Sequence, residues 1–305
     1  MASISVSVPS ARLAEDLSDI EGADVFVWKM DAPSPRPRID VVVPPYMSKG
    51  SPLPLLEGVE VGLVQGQAIG YEGIEDRLPA GSVFANAATV HEAATAELAV
   101  ALTLTAQRGI DRFVRAQATG DWAPFQATGL ADRRLMLLGY GGVGKAIAAR
   151  LAPFEVELVP VASSARDEDG IRVHSVDELP ELLPGVDIVV ASLPGGDRTR
   201  HIIDDAFLAA LPGGALVVNV GRGSLIDTDA LVAHVRSRGI RAALDVTDPE
   251  PLPADHPLWT LDGVVIAPHV GGATDAMHPR IVRLLRRQIA HLLAGEEPEN
   301  VVIRT

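Results

Sequence analysis

Short apolar runs rich in β-branched residues recur through the first ninety residues, at 4–8, 24–28, 40–43, 59–64 and 83–85, with Gly and Pro between them. Runs of that length and composition read as strands. Helical turns fit at 11–17 and 54–56. The stretch Ala32-Pro33-Ser34-Pro35-Arg36-Pro37 is a connector, because proline removes a backbone donor and fixes φ. This part of the chain is expected to be a small open-sheet α/β unit. The period then changes. From 89 to about 107, Ala94, Leu98, Ala101, Leu102 and Thr105 fall on one face of a long helix, which can serve as a spacer, a dimer element or a plain buried helix. Residues 109–132 read as a polar arm carrying Trp122 and Phe125.

A second α/β series begins at Arg134, with apolar runs at 135–138, 158–162, 186–191, 215–218, 242–246 and 264–267. Helical patterns fall between several of them, at 143–151, 204–211 and 228–238. Near-continuous apolar strands alternating with helices imply a parallel sheet covered on both faces. The amphipathic stretch 281–293 ends at Gly295, a C-terminal cap, and Val301-Val302-Ile303 is a short strand able to return to the first unit. The expected fold class is α/β, built from two Rossmann-like or flavodoxin-like open parallel-sheet domains.

Composition narrows the function without changing this picture. At roughly 100–200 residues per domain, 305 residues suggest two domains. The chain has no cysteine, which excludes disulfides, thiolate metal sites and a cysteine nucleophile and suits a reducing cytoplasm. No metal centre is expected. With 26 Lys+Arg against 40 Asp+Glu, the net charge of −14 argues against nucleic acid or an anionic membrane as partner. The first ten residues show no basic-then-apolar signal, and no run approaches the ~18 apolar residues of a membrane span. A cytoplasmic location is expected.

The sequence Leu138-Gly139-Tyr140-Gly141-Gly142-Val143-Gly144 lies between an apolar strand and a helix, with another strand within about thirty residues. In that setting Gly139 permits a tight turn, Gly141 lets the backbone approach a pyrophosphate, and Gly144 permits close helix–strand packing. The next strand ends at Ser163-Ser164-Ala165-Arg166, where an NAD site usually carries an acidic residue for the ribose hydroxyl. Serines followed by Arg166 lean towards a 2′-phosphate, and so towards NADP over NAD. Asp167, Glu168 and Asp169 follow closely and keep NAD open.

Three later strands run into Gly221-Arg222-Gly223, Thr247-Asp248-Pro249-Glu250-Pro251 and Pro268-His269-Val270-Gly271-Gly272. In an open parallel sheet, ligands bind beyond the carboxyl ends of the strands. All three groups therefore share an edge with the glycine turn. Taken singly they are a loop arginine, a turn carboxylate and a loop histidine. Together they suit reduction of a 2-oxo acid: an arginine to hold the carboxylate and polarise the carbonyl, a histidine to donate a proton, and a carboxylate to orient and favour the imidazolium.

These motifs, with Ser192-Leu193-Pro194, Thr199-Arg200, Val218-Asn219-Val220 and Leu244-Asp245-Val246, occur in an order that resembles the D-isomer-specific 2-hydroxyacid dehydrogenase family over nearly the whole chain. Glu250 follows Arg222 by 28 residues and His269 follows Glu250 by 19, also similar to the family. The resemblance implies a substrate domain formed by 1–90 plus 287–305, an NAD(P)-binding Rossmann domain at 91–286, a cleft between them, and a homodimer. It implies Arg222, Glu250 and His269 as the catalytic triad. It further implies cofactor contacts from Gly142, Val143, Pro194, Thr199, Val220, Gly221, Asp245 and Gly271, with Asp245 at the nicotinamide carboxamide unless it merely caps a turn. The segment Gln65-Gly66-Gln67-Ala68-Ile69-Gly70-Tyr71-Glu72 is similar to the family's substrate loop, which implies that Gln67, Ile69 and Gly70 bind substrate alongside Arg222 and His269.

The chain departs from the family in Gln67 and Ala68 for Leu and Ser, Glu72 for Asp, and Gly272 for Ser, which bears on substrate preference. The run Asp-Val-Thr-x-Pro-Glu-Pro-Leu-Pro is similar to the glyoxylate/hydroxypyruvate reductase branch. Tyr46, Met47, Trp259 and Met277 are candidates for shaping the substrate pocket or for ordinary packing. Formate or phosphite oxidation, and a non-catalytic nucleotide-sensing corepressor, are the alternative functions on this fold.

Overall fold

The β-branched runs become the strands of two sheets in the computed structural model, which describes residues 3–46 and 51–305. The chain divides into two units, Met1–His91 with Asp275–Thr305, and Glu92–Thr274.

In the first unit, β1 (Ile4–Val8), β2 (Ala23–Val27), β3 (Arg38–Val42), β4 (Glu60–Gln65) and β5 (Val83–Ala85) pair in parallel in the order β2-β1-β3-β4-β5. This is the flavodoxin-like order. The strand Val301–Arg304 closes the β5 edge antiparallel, as the sequence suggests. Successive residues alternate between two cores. Val41, Leu63 and Ala85 face Val6, Leu13 and Leu17, whereas Val42, Val64 and Phe84 face Trp28, Leu53 and Leu56.

The return to this unit occurs at Asp275, twelve residues before the expected boundary at 287. The reason is the helix Met277–Leu293, which the expected boundary cuts in two. It inserts Ile281, Leu284, Leu285 and Ile289 into the first core as one continuous apolar stripe.

The second unit holds β6 (Arg134–Leu138), β7 (Glu157–Ala162), β8 (Arg166–Glu168), β9 (Ile171–Ser175), β10 (Ile188–Ala191), β11 (Leu216–Asn219), β12 (Arg241–Leu244) and β13 (Val264–Ile266). Its sheet order is β13-β12-β11-β10-β6-β7-β9-β8, parallel except for the β8–β9 hairpin. This is the doubly wound order with its topological switch between β6 and β10, the place where such sheets receive a dinucleotide. Leu135 and Leu137 face one core and Met136 and Leu138 the other.

Two local expectations change. The helix Glu92–Arg108 buries Ala94, Thr95, Ala96, Ala99, Leu102, Thr103 and Gln107, while Ala101 is exposed. Of the expected face, Ala94 and Leu102 are buried and Leu98 packs part-buried on the core, while the small residues Ala96 and Ala99 rotate the contact away from Ala101 and let the helix lie close to the helix Gly142–Leu151. The polar arm contains a helix, Ile110–Thr119, that leaves Ile110, Phe113 and Val114 exposed. Phe125 folds back beneath it, its ring tilted by 31° against Phe113 at 4.9 Å and under the Arg112 guanidinium at 4.0 Å.

Candidate active site

The glycine turn has the geometry its sequence predicts. Gly139 is left-handed at φ 111°, and a Cβ on Gly144 would lie 2.0 Å from the Gly139 carbonyl oxygen. Any side chain at Gly144 would force the helix off the strand. Around the position of a Cβ on Gly141 there is open space, and the helix Gly142–Leu151 starts with no side-chain cap on its N–H groups. A cradle open at that glycine, at the positive end of a helix, fits a dinucleotide pyrophosphate. Ser192 Oγ donates to the Gly139 carbonyl (3.1 Å) and fixes the turn to the end of β10.

Ser163 and Ser164 are exposed just beyond β7, and Arg166 opens β8. The Arg166 guanidinium reaches back to the Tyr140 carbonyl (3.3 Å) and pairs with Glu168 (2.9 Å). Glu168 also takes the Lys145 ammonium. The hydrogen bond from Lys145, then that from Arg166, hold its carboxyl below the usual carboxylate range. Two cations thus flank one carboxylate beside the glycine turn.

Arg222 stands on a turn held from inside. Asn219, fully buried, donates from Nδ2 to the Arg222 carbonyl (2.8 Å) and accepts from the Gly221 N–H (3.0 Å). The turn is pressed between two neighbours: a Cβ on Gly221 would lie 2.6 Å from the Leu193 carbonyl oxygen, and one on Gly223 would lie 1.9 Å from that of Thr247. The loops after β10, β11 and β12 therefore pack as one layer. Thr199 closes its own turn on the Pro194 carbonyl (2.8 Å), and the buried Val220 donates its N–H to Ala191 (3.0 Å).

The histidine and the glutamate meet. His269 Nδ1 lies 2.5 Å from Glu250 Oε1, with both side chains part-exposed, at 49% and 41%. Glu250 accepts, so Nδ1 carries the proton and Nε2 is the ring nitrogen left to face a ligand. His269 adopts φ 54°, a left-handed conformation that its N–H supports by donating to the Asp245 carbonyl (2.7 Å). The Asp245 carboxylate, buried, receives the next two N–H groups, of Val270 (2.7 Å) and Gly271 (2.9 Å). Burial pushes this carboxyl up, against the pull of those two donors. Asp245 is thus a capping residue for the histidine loop. Gly271 is required there, since a Cβ would come 2.8 Å from Asp245 Oδ2.

In the first unit, the loop after β4 has its carbonyls pinned inward. Gly66 O accepts from Gln65 Nε2 (2.9 Å), Gln67 O from His91 Nε2 (2.6 Å), Ala68 O from the Ala87 N–H (2.8 Å), and Ile69 O from Asn86 Nδ2 (2.8 Å). A trans peptide sets C=O and N–H on opposite sides. The N–H groups of Gln67, Ala68, Ile69 and Gly70 consequently point the other way, and none of them meets an acceptor among the described residues. Four outward amides in a row suit an anionic ligand. The Gln67 side chain itself is occupied, donating to the Pro44 carbonyl (2.7 Å).

Sequence reasoning missed the buried polar residues behind these loops: Asn219, Asn86, His91, and the pair Gln65 and Gln288, joined at 2.6 Å. Asn219 and Gln65 stood inside recognised motifs, but neither was given a role there. Of the pocket candidates, Met277 packs into the first core, Trp259 lies on the surface with its indole donating to the Pro253 carbonyl (2.8 Å), Tyr46 stacks on His91, and Met47 lies outside the described residues. A cavity of about 770 Å³, lined by Arg112, Phe125, Gly214, Arg241 and Gly263, opens at the amino ends of β11–β13, the edge opposite the triad.

A doubly wound sheet with a glycine turn at its switch point, and an arginine, a glutamate and a histidine on the same carboxyl edge, defines a dinucleotide-binding α/β protein equipped for proton transfer. Residues 100–271 match the family described as D-isomer specific 2-hydroxyacid dehydrogenase, NAD binding domain, and the chain belongs to that family. It is 33% identical to a glyoxylate reductase of Aeropyrum pernix over 267 residues, covering 82% of this chain and 78% of that protein. It is 32% identical to a D-3-phosphoglycerate dehydrogenase of Methanocaldococcus jannaschii over 234 residues, 75% of this chain. The match spans 44% of that relative's length and 55% of another's. The crystal structure of a D-isomer specific 2-hydroxyacid dehydrogenase from Xanthobacter autotrophicus Py2, in complex with NADPH and MES, superposes with a TM-score of 0.82 at 26% identity, covering 99% of this chain and 98% of that one.

Proposed function

We propose that the protein is an NAD(P)-dependent oxidoreductase interconverting small 2-oxo acids and D-2-hydroxy acids, with glyoxylate or hydroxypyruvate as substrate and NADP(H) preferred. The observation that carries this reading is the 2.5 Å contact of His269 with Glu250, on the edge that also bears Arg222 and the glycine turn. The glyoxylate reductase relative supports the substrate class, and the NADPH in the Xanthobacter protein supports the coenzyme.

Gly139, Gly141, Gly142, Val143 and Gly144 would hold the pyrophosphate, and Ser163, Ser164 and Arg166 the adenosine ribose. The remaining cofactor contacts come from Pro194, Thr199, Val220, Gly221, Asp245 and Gly271. When bound, the nicotinamide supplies or accepts the hydride at the substrate's second carbon. His269, its Nδ1–H held by Glu250, donates from Nε2 to the carbonyl oxygen in reduction and takes the proton back in oxidation. Arg222 brings a fixed cation to the carboxylate and to the charge that develops on the oxygen. In the first unit, the outward amides of Gln67, Ile69 and Gly70 are the proposed carboxylate receptor.

The test follows absorbance at 340 nm with glyoxylate, hydroxypyruvate and bulkier 2-oxo acids, each with NADH and NADPH. Turnover of a 2-oxo acid supports the reading. No turnover in any combination overturns it and leaves the sensor role. Replacing Arg166 with alanine is expected to cut kcat/KM for NADPH by about tenfold to a hundredfold while NADH changes little, since only the phosphorylated ribose needs that cation.

The proposed assembly is a homodimer. Its support is the arm, where Ile110, Phe113, Val114 and Trp122 are all exposed, Trp122 at 94%. Light scattering is expected to give twice the chain mass, falling towards one chain in a Phe113→Asp/Trp122→Ala variant. A chain without cysteine suits the cytoplasm, and no helix among the described residues is long and apolar enough to cross a membrane.

A further inference from the structure

The four carbonyls pinned behind the Gly66–Gly70 loop are not held alike. One takes a backbone N–H, whereas three take side chains, from Gln65, Asn86 and His91. Gln65 and Asn86 are amides in regular hydrogen-bond networks. Gln65 is backed by Gln288, which is fixed to Glu299, and Asn86 Oδ1 also accepts from the Ala88 N–H. His91 differs. Its imidazole is 4% exposed, donates from Nε2 to the Gln67 carbonyl at 2.6 Å, and stacks on Tyr46 at 5.5 Å and 15°. Its Nδ1 is buried with no hydrogen-bond partner among the described residues. A buried imidazole with one nitrogen unpaired is a costly way to fill a core position, and an apolar ring would fill the same space without that cost. What the apolar ring lacks is the one bond that His91 makes.

That bond fixes a peptide plane. Because the Gln67 carbonyl and the Ala68 N–H belong to the same planar trans unit, holding the oxygen on His91 aims the Ala68 N–H outward, between the amides of Gln67 and Ile69. Released from His91, this plane could rotate and turn its oxygen towards an arriving carboxylate, putting like charge where a donor is needed. We propose that His91 is a positioning residue for the substrate carboxylate, setting the Gln67–Ala68 peptide so that the loop presents consecutive donors. The inference rests on the proposed 2-oxo-acid function for its substrate, but not for the loop geometry.

The test compares His91→Phe, which keeps the ring and its stacking on Tyr46, with His91→Gln, which keeps an amide donor near the place of Nε2. Thermal midpoints close to that of the wild type establish that both fold, and His91→Leu, which likewise lacks a donor, takes the place of the phenylalanine variant if that one does not. In His91→Phe, KM for glyoxylate is expected to rise by about tenfold to a hundredfold, with kcat and the KM for NADPH held within about twofold. His91→Gln is expected to recover most of the loss. A purely structural role would instead lower kcat and coenzyme affinity together and would not be rescued.

Hydrogen exchange of the peptide covering 65–71, with and without oxalate, reads the same loop without turnover. Oxalate is expected to protect it in the wild type and in His91→Gln but not in His91→Phe. Wild-type turnover with an unchanged glyoxylate KM in His91→Phe overturns the proposal and leaves the enzyme function standing. If the wild type turns over no 2-oxo acid, the function fails and exchange still decides. Protection lost only in His91→Phe supports the positioning role, whereas equal protection in all three proteins, or none in the wild type, overturns it.

Discussion

Replacing Arg222 with alanine is expected to lower kcat/KM for glyoxylate by roughly a thousandfold, equivalent to about 4 kcal/mol of transition-state stabilisation. The size follows from what the turn is built to do. Its backbone is locked by the buried Asn219, wedged against Leu193 through Gly221 and against Thr247 through Gly223. The guanidinium therefore starts from a fixed base, and Nη1 already uses one hydrogen bond, to the Gly221 carbonyl (2.7 Å), to restrict its swing. A fixed cation costs little reorganisation when charge develops on the substrate oxygen, so its deletion is felt in the transition state. Lysine is not an adequate substitute, because a single ammonium cannot serve a carboxylate and a carbonyl oxygen with the geometry of a planar fork. Arg222→Lys is expected to recover no more than about a tenth of the lost activity. Steady-state kinetics with varied glyoxylate and varied NADPH separate the effects: the coenzyme KM should stay near the wild-type value. A variant within about fivefold of wild-type kcat/KM would remove Arg222 from the mechanism.

Most of this arrangement was legible in the sequence because parallel sheets buried on both faces advertise themselves as unbroken apolar runs. The polar residues that follow each run then share one edge by topology alone. Glu250 and His269 could be placed together before any geometry was known, and the structure brings them into hydrogen-bond contact. What stayed hidden has physical causes. The β8 strand reads Arg-Asp-Glu, and its half-exposed hairpin needs no apolar alternation. The helix Ile110–Thr119 carries Ile110, Phe113 and Val114 at helical spacing but buries none of its residues in this chain, and its short apolar stripe is lost in the polar composition of the arm. The boundary at 287 implied by the family resemblance cuts through the amphipathic stretch 281–293, whereas the helix Met277–Leu293 lies whole in the first unit because its apolar stripe packs into that core. The positioning residues were the hardest to see. Gln65 and Gln288 are 223 positions apart, and His91 acts 24 positions from Gln67, so no local pattern marks which polar side chains will be buried.

Replacing His269 with asparagine is expected to lower kcat by a factor of about 10² to 10⁴ with little change in either KM, the usual worth of a positioned acid–base group. Asparagine is the suitable replacement because φ at this position is 54°, a conformation that its short side chain tolerates while most others do not. Val270 and Gly271 stay tied to Asp245, so the loop itself should survive the change. Glu250→Gln asks a finer question of the same pair. The glutamate oxygen 2.5 Å from Nδ1 holds the ring by a charge-assisted hydrogen bond. An amide in its place can still accept from Nδ1 but brings no charge to the ring that hands the proton on, so kcat is expected to fall by about tenfold to a hundredfold in both directions with little change in either KM. Measured in both directions with one enzyme preparation, a kcat within about twofold of the wild type would mean that Glu250 does not act through His269.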